Sequence, residues 1–157
     1  MDIRPAYETE IDQLAKLWYD GWQDAHAQIV PAELARLRTL ESFAPRLRAA
    51  LARIRVAGPV GEPIGFCIVK DDELYQLFVS AQGRGTGVAA ALVADAEAIL
   101  AVDGAEIGWL ACMIGNERAA RFYTKQGWHR AGVVTRILDT SSGPFPLDVW
   151  RYEKRLR

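Results

Sequence analysis

The run Gln82-Gly83-Arg84-Gly85-Thr86-Gly87 and the pair Asn116 and Tyr123 have the residue types and spacing that could do chemistry. The glycines stand between an apolar, aromatic-rich segment, Leu74 to Val79, and a small-residue one beginning Val88-Ala89-Ala90-Ala91. Glycine at such a junction lets the backbone turn tightly with its N–H groups outward. A helix starting at Val88 adds the positive end of its dipole, so the run forms a cradle for a pyrophosphate. Apart from Arg84 the loop carries no charged side chain. It holds a nucleotide-like cofactor, and the bond chemistry must come from elsewhere. Further on, Asn116 is a good helix N-cap, Glu117 suits the positive first turn, and Gly127 suits the left-handed position after a helix end. Asn116 and Tyr123, about two turns apart, share one face with Ala119 and Ala120. A polar cap, a small-residue groove and a phenol on one face form a surface along which a slender chain could lie.

These two segments need elements to position them. Met1 to Tyr7 reads as a short strand. Thr9 and Asp12 resemble a capping box, after which Ile11, Leu14, Ala15, Trp18 and Trp22 follow helical spacing on one face. A second helical region runs from Pro31 to Leu51, broken near Ser42-Phe43-Ala44-Pro45, since proline disfavours helix in the residue before it. Arg53 to Ala57 is a strand, and Pro63–Lys70 with Glu73–Ser80 form a hairpin around Asp71-Asp72. The helix after the glycine loop ends near Asp103-Gly104, a strand covers Glu106 to Met113, and the Asn116 helix follows. Gly132–Asp139 and Pro146–Glu153 are a final strand pair around Ser-Ser-Gly-Pro. The order is β-α-α-β-β-β-α-β-α-β-β.

A P-loop requires Lys and then Ser or Thr after its glycines, where Val88 and Ala89 stand here. Gly85-Thr86-Gly87-Val88-Ala89-Ala90 does fit the G-x-G-x-x-A of a dinucleotide fold. That fold wants an acid closing the next strand, whereas Glu106 opens it, and half of the chain precedes the motif. A chain of 157 residues suits one domain, with ordinary hydrophobic (50%) and charged (25%) fractions for a soluble globular protein. A net charge of -1 leaves no footprint for nucleic acid or an anionic membrane. The N-terminus lacks an apolar signal region and no apolar run reaches membrane-spanning length. Cys67 and Cys112 sit singly in apolar strands and read as reduced core thiols, and no Cys or His cluster suggests a metal.

Together, Q-x-x-G-x-G at Gln82–Gly87 and N-x-x-A-x-x-F-Y-x-x-x-G-[FW] at Asn116–Trp128 resemble the paired signature motifs of the GNAT superfamily of acyl-CoA-dependent N-acetyltransferases. The resemblance covers essentially the whole chain and is strongest from Leu74 to Trp128. It implies an α/β (α+β) fold in a single domain over residues 1–157, with a mixed, mostly antiparallel sheet flanked by helices. It also implies a cytoplasmic enzyme, without a metal, that moves an acetyl group from acetyl-CoA to a primary amine of a small molecule or protein. The strand before the glycine loop and the strand from Glu106 would splay to admit pantetheine. Backbone groups of Leu77, Phe78 and Val79 would then pair with it or serve the oxyanion. Gln82, Gly83, Arg84, Gly85, Thr86, Gly87 and Val88 would hold the pyrophosphate, and Asn116 and Tyr123 would touch the cofactor.

In that family's chemistry Tyr123 matches the general acid, since a phenol with an ordinary pKa of about 10 keeps its proton at neutral pH. Glu73, placed by period-two alternation on one face with Tyr75, Leu77 and Val79, is a candidate base, or else a hairpin acid beside Asp71 and Asp72. Trp22, Asp24 and His26 come from the region that walls the acceptor pocket in such enzymes. Asp24 could steer a cationic amine or be a solvated helix acid. Arg36, Arg38, Arg46, Arg48, Arg53 and Arg55, interspersed with Glu33 and Glu41, read as a solvated helix face. The acceptor's identity and a homodimer both stay open. So do two other functions, a catalytically silent acyl-CoA sensor and a dinucleotide-binding oxidoreductase.

Overall fold

Alternation and helical spacing translate into twelve main elements. They are β1 (Ile3–Pro5), α1 (Ile11–His26), α2 (Ala32–Leu37), α3 (Phe43–Ala50), β2 (Ile54–Ala57), β3 (Gly65–Lys70), β4 (Glu73–Val79), α4 (Val88–Val102), β5 (Ile107–Met113), α5 (Glu117–Lys125), β6 (His129–Thr140) and β7 (Gly143–Arg155). The structure, a computed structural model, describes residues 2–157. All strands join one seven-stranded sheet in the order β1-β2-β3-β4-β5-β7-β6. Every neighbouring pair is antiparallel except β4 and β5. The expected mixed, mostly antiparallel sheet flanked by helices is what the chain forms.

Two apolar layers cover the sheet. On one face α1 buries Ile11, Leu14, Ala15, Trp18 and Trp22, the expected stripe, against Leu34, Phe43, Leu47, Phe66 and Ile68. On the other, Val88, Leu92, Val93, Ala96 and Leu100 of α4 pack with Cys67, Leu74, Leu110, Tyr123 and Tyr152. Tight packing of α1 on β4 depends on Gly21: a Cβ there would stand 2.6 Å from Cδ1 of Phe78. Phe78 has little room to retreat, with the rings of Trp18, Phe66 and His26 centred 6.0–6.3 Å away.

Local details depart from the sequence expectations in three places. The start of α1 is held by Glu10, whose buried carboxylate accepts from the Tyr7 backbone N–H (3.1 Å) and pairs with Arg4 (2.8 Å), in place of a Thr9–Asp12 box. Arg4 holds that carboxyl below its usual range. The break in the second helical region falls at Arg38–Ser42, ahead of Pro45, which sits inside the first turn of α3. There its missing N–H would have had no intrahelical partner, so proline is accommodated. The third departure is in β4. Ile68 pairs with Gln76 while Val69 pairs with Leu74, so Tyr75 is an extra residue in a β-bulge. A bulge shifts the alternation by one. Leu77 and Val79 therefore face α4 whereas Tyr75 and Phe78 face α1, and the single face running from Glu73 through Tyr75 to Val79 does not exist.

Gly21→Ala tests the α1 contact, because helix propensity alone predicts a gain of about 0.5–1 kcal/mol. Overpacking against Phe78 should instead cost roughly 1–3 kcal/mol and lower the urea midpoint. A raised midpoint would show that the Phe78 ring yields freely.

Candidate functional site

The site begins where the sheet parts. β4 and β5 run parallel and pair only at Glu73 and Trp109, near their beginnings, so they diverge toward Val79 and Met113. The Trp109 backbone N–H donates to the Asp72 carbonyl (3.1 Å) and its indole N–H to the Asp72 carboxylate (3.0 Å), which closes the start of the gap. On the far edge of β4 the Ser80 N–H donates to the Ile64 carbonyl (2.8 Å), and this sets the phase of the β3–β4 ladder. Hydrogen-bonded and non-bonded pairs alternate in an antiparallel ladder. Ser80, Phe78 and Gln76 thus bond toward β3, and the backbone N–H and C=O groups of Leu77 and Val79 point into the gap.

Both segments singled out for chemistry lie at the open end. The glycine loop leaves β4 with Gly85 at φ +74° and Gly87 at φ +88°, conformations that cost glycine little, and a Cβ on either would meet no protein atom within 4 Å. Gly87 caps α4 without a side chain, which leaves the first N–H groups of that helix to an outside acceptor. Gly83 is different. A Cβ there would lie 2.7 Å from Val79, so this glycine allows the loop to fold back on β4. Across the gap Asn116 caps α5, its Oδ1 accepting from the Ala119 N–H (3.3 Å), and Gly127 takes φ +93° after the helix.

A cavity of 590 Å³ fills the notch and extends to the α1 side, a size suited to small-molecule ligands. Of the expected cradle, Gly83, Arg84, Gly85, Gly87 and Val88 line it, while Gln82 and Thr86 are exposed away from its walls; the Thr86 hydroxyl donates to the Gly83 carbonyl. Leu77, Phe78, Val79, Asn116 and Tyr123 line it as well. Burial pushes the Tyr123 phenol well above the usual tyrosine range, so it is protonated throughout the physiological range. Burial also pushes the thiol of Cys112, another wall residue, up to about 12.

The residues expected to wall an acceptor pocket divide. Trp22 and His26 are buried and line the cavity. Nδ2 of Asn116 approaches Nε2 of His26 (3.4 Å), which makes Nε2 the acceptor and puts the ring proton on Nδ1, a buried atom without a partner. Burial lowers the His26 pKa to about 4, so the ring is neutral. Asp24 is engaged elsewhere. Its carboxylate bridges Arg84 of the glycine loop (2.6 Å) and Arg118 of α5 (3.1 Å) at the mouth, and those two guanidinium groups hold its pKa below the carboxylate norm. Glu73 is buried with both oxygens on the guanidinium of Arg136 and stands outside the cavity walls.

Sequence reasoning missed the arginines. Arg38 and Arg46 are not part of a solvated face: Arg38 is 4% exposed, and both line the cavity. Arg46 lies over the Trp18 ring (4.3 Å) and donates to the Tyr75 hydroxyl (3.2 Å). A signal was available, since Arg46 shares a helical face with the buried Phe43, Leu47 and Ala50. Among the described residues no group of three or more Asp, Glu, His or Cys could hold a metal ion, and no helix is long and apolar enough to cross a membrane.

A model of the acetyltransferase (GNAT) family matches residues 8–128. The chain belongs to the GNAT acetyltransferase family. It is 34% identical over 114 residues to an uncharacterized N-acetyltransferase of Mycobacterium tuberculosis, an alignment spanning 69% of this chain and 70% of that one. In fold it is similar to a GCN5-related N-acetyltransferase from Rhodopseudomonas palustris (TM-score 0.76, 20% identity, 98% of this chain and 94% of the other). It is also similar to the PaiA N-acetyltransferase of Thermoplasma acidophilum in complex with coenzyme A (TM-score 0.65, 20% identity, 98% of each chain). The parted strands and the glycine loop of this GNAT chain thus occur on a backbone shared with a coenzyme A-binding protein.

The neutral His26 gives a pH test of this wall. An unfolded histidine titrates near 6.5 and His26 in the fold near 4, so between those values the unfolded chain binds more protons and stability falls as pH drops. The loss should reach roughly 3 kcal/mol across that window. Urea unfolding of His26→Gln should show a flatter dependence between pH 7 and pH 5 than the parent. Equal slopes would mean that the folded ring takes up its proton normally.

Proposed function

We propose that the protein is an N-acetyltransferase that passes the acetyl group of acetyl-CoA directly to a primary amine. The parting of β4 from β5 carries this reading, because it opens the backbone of Leu77 and Val79 beside a glycine loop free of obstructing side chains. Those two residues would pair with the amides of a pantetheine arm as a missing strand would. The N–H groups from Gly85 through the first turn of α4 would take the pyrophosphate, helped by the helix dipole. Arg84 and Arg118, shared on Asp24, would add cations at the mouth.

The cosubstrate supplies a thioester carbon open to attack, and the chain's own groups do the rest. A backbone N–H in the Leu77–Val79 segment donates to the carbonyl oxygen as it gains charge. As the amine nitrogen bonded to carbon and the carbon–sulfur bond broke, the electron pair would go to sulfur and Tyr123 would give the sulfur its proton, regaining one from solvent to complete the cycle. The buried, protonated phenol suits that role. A relay through Cys112 is disfavoured, since a thiol titrating at about 12 holds almost no thiolate at neutral pH. With both Glu73 oxygens held by Arg136, Glu73 acts as the anchor of that arginine and the amine's proton leaves to solvent. In this reading all of the catalytic apparatus lies in one domain.

Two variants check it. Tyr123→Phe should keep acetyl-CoA affinity and slow release of free thiol by about 10²-fold or more, as for loss of a general acid. Cys112→Ala should stay within a few-fold of the parent, by the same assay. Parent-like turnover in Tyr123→Phe, or a collapse in folded Cys112→Ala, would overturn direct attack with a tyrosine acid.

Gly87→Val should weaken coenzyme A binding about tenfold or more, the scale of one or two lost charge-assisted hydrogen bonds. Calorimetry on the folded variant reads this directly. Parent-like affinity would remove the glycine loop from the phosphate site.

A further inference from the structure

The cavity is unusual in its charge. Five arginines and a lysine line it, and no Asp or Glu does, in a protein whose net charge is -1. Arg84 and Arg118 sit at the cofactor mouth and share Asp24. Arg38, Arg46 and Arg136 lie at the other end, on the α1 side of the bulged strand. Tyr75 connects Arg46 and Arg136: its hydroxyl accepts from Arg46, and Arg136 lies 5.1 Å from its ring centre. Among these three, only Arg136 has a carboxylate within 4 Å, that of Glu73. Arg38 gives Nη1 to the Asp139 carbonyl (2.8 Å), and the exposed Asp139 carboxylate acts on it only at a distance. Burial, together with the neighbouring Arg46 charge, lowers Arg38 to about 10, still protonated at neutral pH.

Leaving two guanidinium groups near each other without an anion, one of them buried, is costly. Like charges repel, and what the fold offers them, the Trp18 ring beneath Arg46 and hydrogen bonds to the Tyr75 hydroxyl and the Asp139 carbonyl, supplies no countercharge. The arrangement becomes favourable when an oxyanion enters, because arginine forks match planar carboxylates and phosphoryl groups in charge-assisted pairs. We infer that Arg38 and Arg46 form the anchor for an oxyanion carried by the acceptor, so that the substrate is an amine bearing its own carboxylate or phosphonate. A free cation such as an alkyl polyamine would meet three positive groups and one paired carboxylate. This inference rests on the transferase reading above and adds the substrate class to it.

The experiment compares matched acceptors at fixed acetyl-CoA. The probes are the common amino acids, their carboxamides, 2-aminoethylphosphonate and spermidine, with free thiol as readout and coenzyme A affinity measured in parallel by calorimetry. Amino acids should exceed their carboxamides by about tenfold or more in kcat/KM, the scale of one charge-assisted pair. The difference should sit in KM, shrink in Arg46→Gln and recover in part in Arg46→Lys. Preference for the aminophosphonate, lost in the same variant, supports the anchor with a phosphonate as its ligand. Carboxamides or spermidine used as well as the acids would overturn the anchor while leaving the transferase intact. So would an acid preference undiminished in both folded Arg46→Gln and folded Arg38→Gln. Coenzyme A binding with no acceptor used by the parent enzyme would overturn both readings, and absent coenzyme A binding would fall on the transferase reading first and carry the anchor with it.

Discussion

One incompletely paired junction in the sheet organises this molecule. Backbone groups in a folded core are nearly always paired, yet β4 and β5 meet at a single registered position and then separate. The separation must be held at its closed end, and that end is strongly tied. Asp72 bonds the backbone and indole of Trp109, Glu73 grips Arg136 from β6, and Arg136 and Arg151 lie 5.4 Å and 4.4 Å from the Trp109 ring. β4, β5, β6 and β7 all contribute to this knot. The strands are therefore fixed where they join and free to spread where the glycine loop and α5 begin. Glu73, which sequence spacing offers as a base, stands in this knot with both oxygens on Arg136.

The bulge at Tyr75 gives the same cleft two sides. Were β4 a regular strand, Tyr75, Leu77 and Val79 would share one face and the cavity would have one chemistry. With the extra residue, Leu77 and Val79 face α4 while Tyr75 and Phe78 face α1. The wall toward α4 is apolar, small and backbone-rich. The wall toward α1 is aromatic and cationic. Gly21 keeps that second wall close by allowing α1 to rest on Phe78. One inserted residue thus gives the two walls of the cavity different chemistry.

Much of this was legible from residue order. The element succession, the left-handed glycines at 85, 87 and 127, the Asn116 cap and the α1 stripe all rest on local rules that act within a few residues. The misreadings share a different cause. A bulge is a property of pairing between strands, and the residue order of β4 carries no mark of it. Pro45 in the sequence reads as a breaker, although within a first turn it breaks nothing. Charge patterning reads the arginines from 36 to 55 as one charged surface, but the fold turns Arg38 and Arg46 inward and leaves Arg36, Arg48 and Arg53 exposed. Arg55 finds Asp95 (2.9 Å). Which charge meets an acid, and which is left with none, is decided by tertiary contacts that linear charge patterning does not contain.

That uneven distribution bears on how a nearly neutral protein can attract anions. Five arginines and a lysine line one cavity whose walls hold no Asp or Glu, and two of those arginines, Arg38 and Arg46, have no carboxylate partner. Such walls concentrate a field that net charge does not report. At the mouth, Arg84 and Arg118 are half exposed and held by Asp24, so their charge is screened and easily exchanged for another anion. Deeper in, Arg38 and Arg46 have only neutral partners, an arrangement whose cost is recovered when a charged ligand arrives. The two pairs thus differ in kind. The outer one is already answered by the carboxylate of Asp24, and the inner one carries charge that the fold itself leaves unanswered.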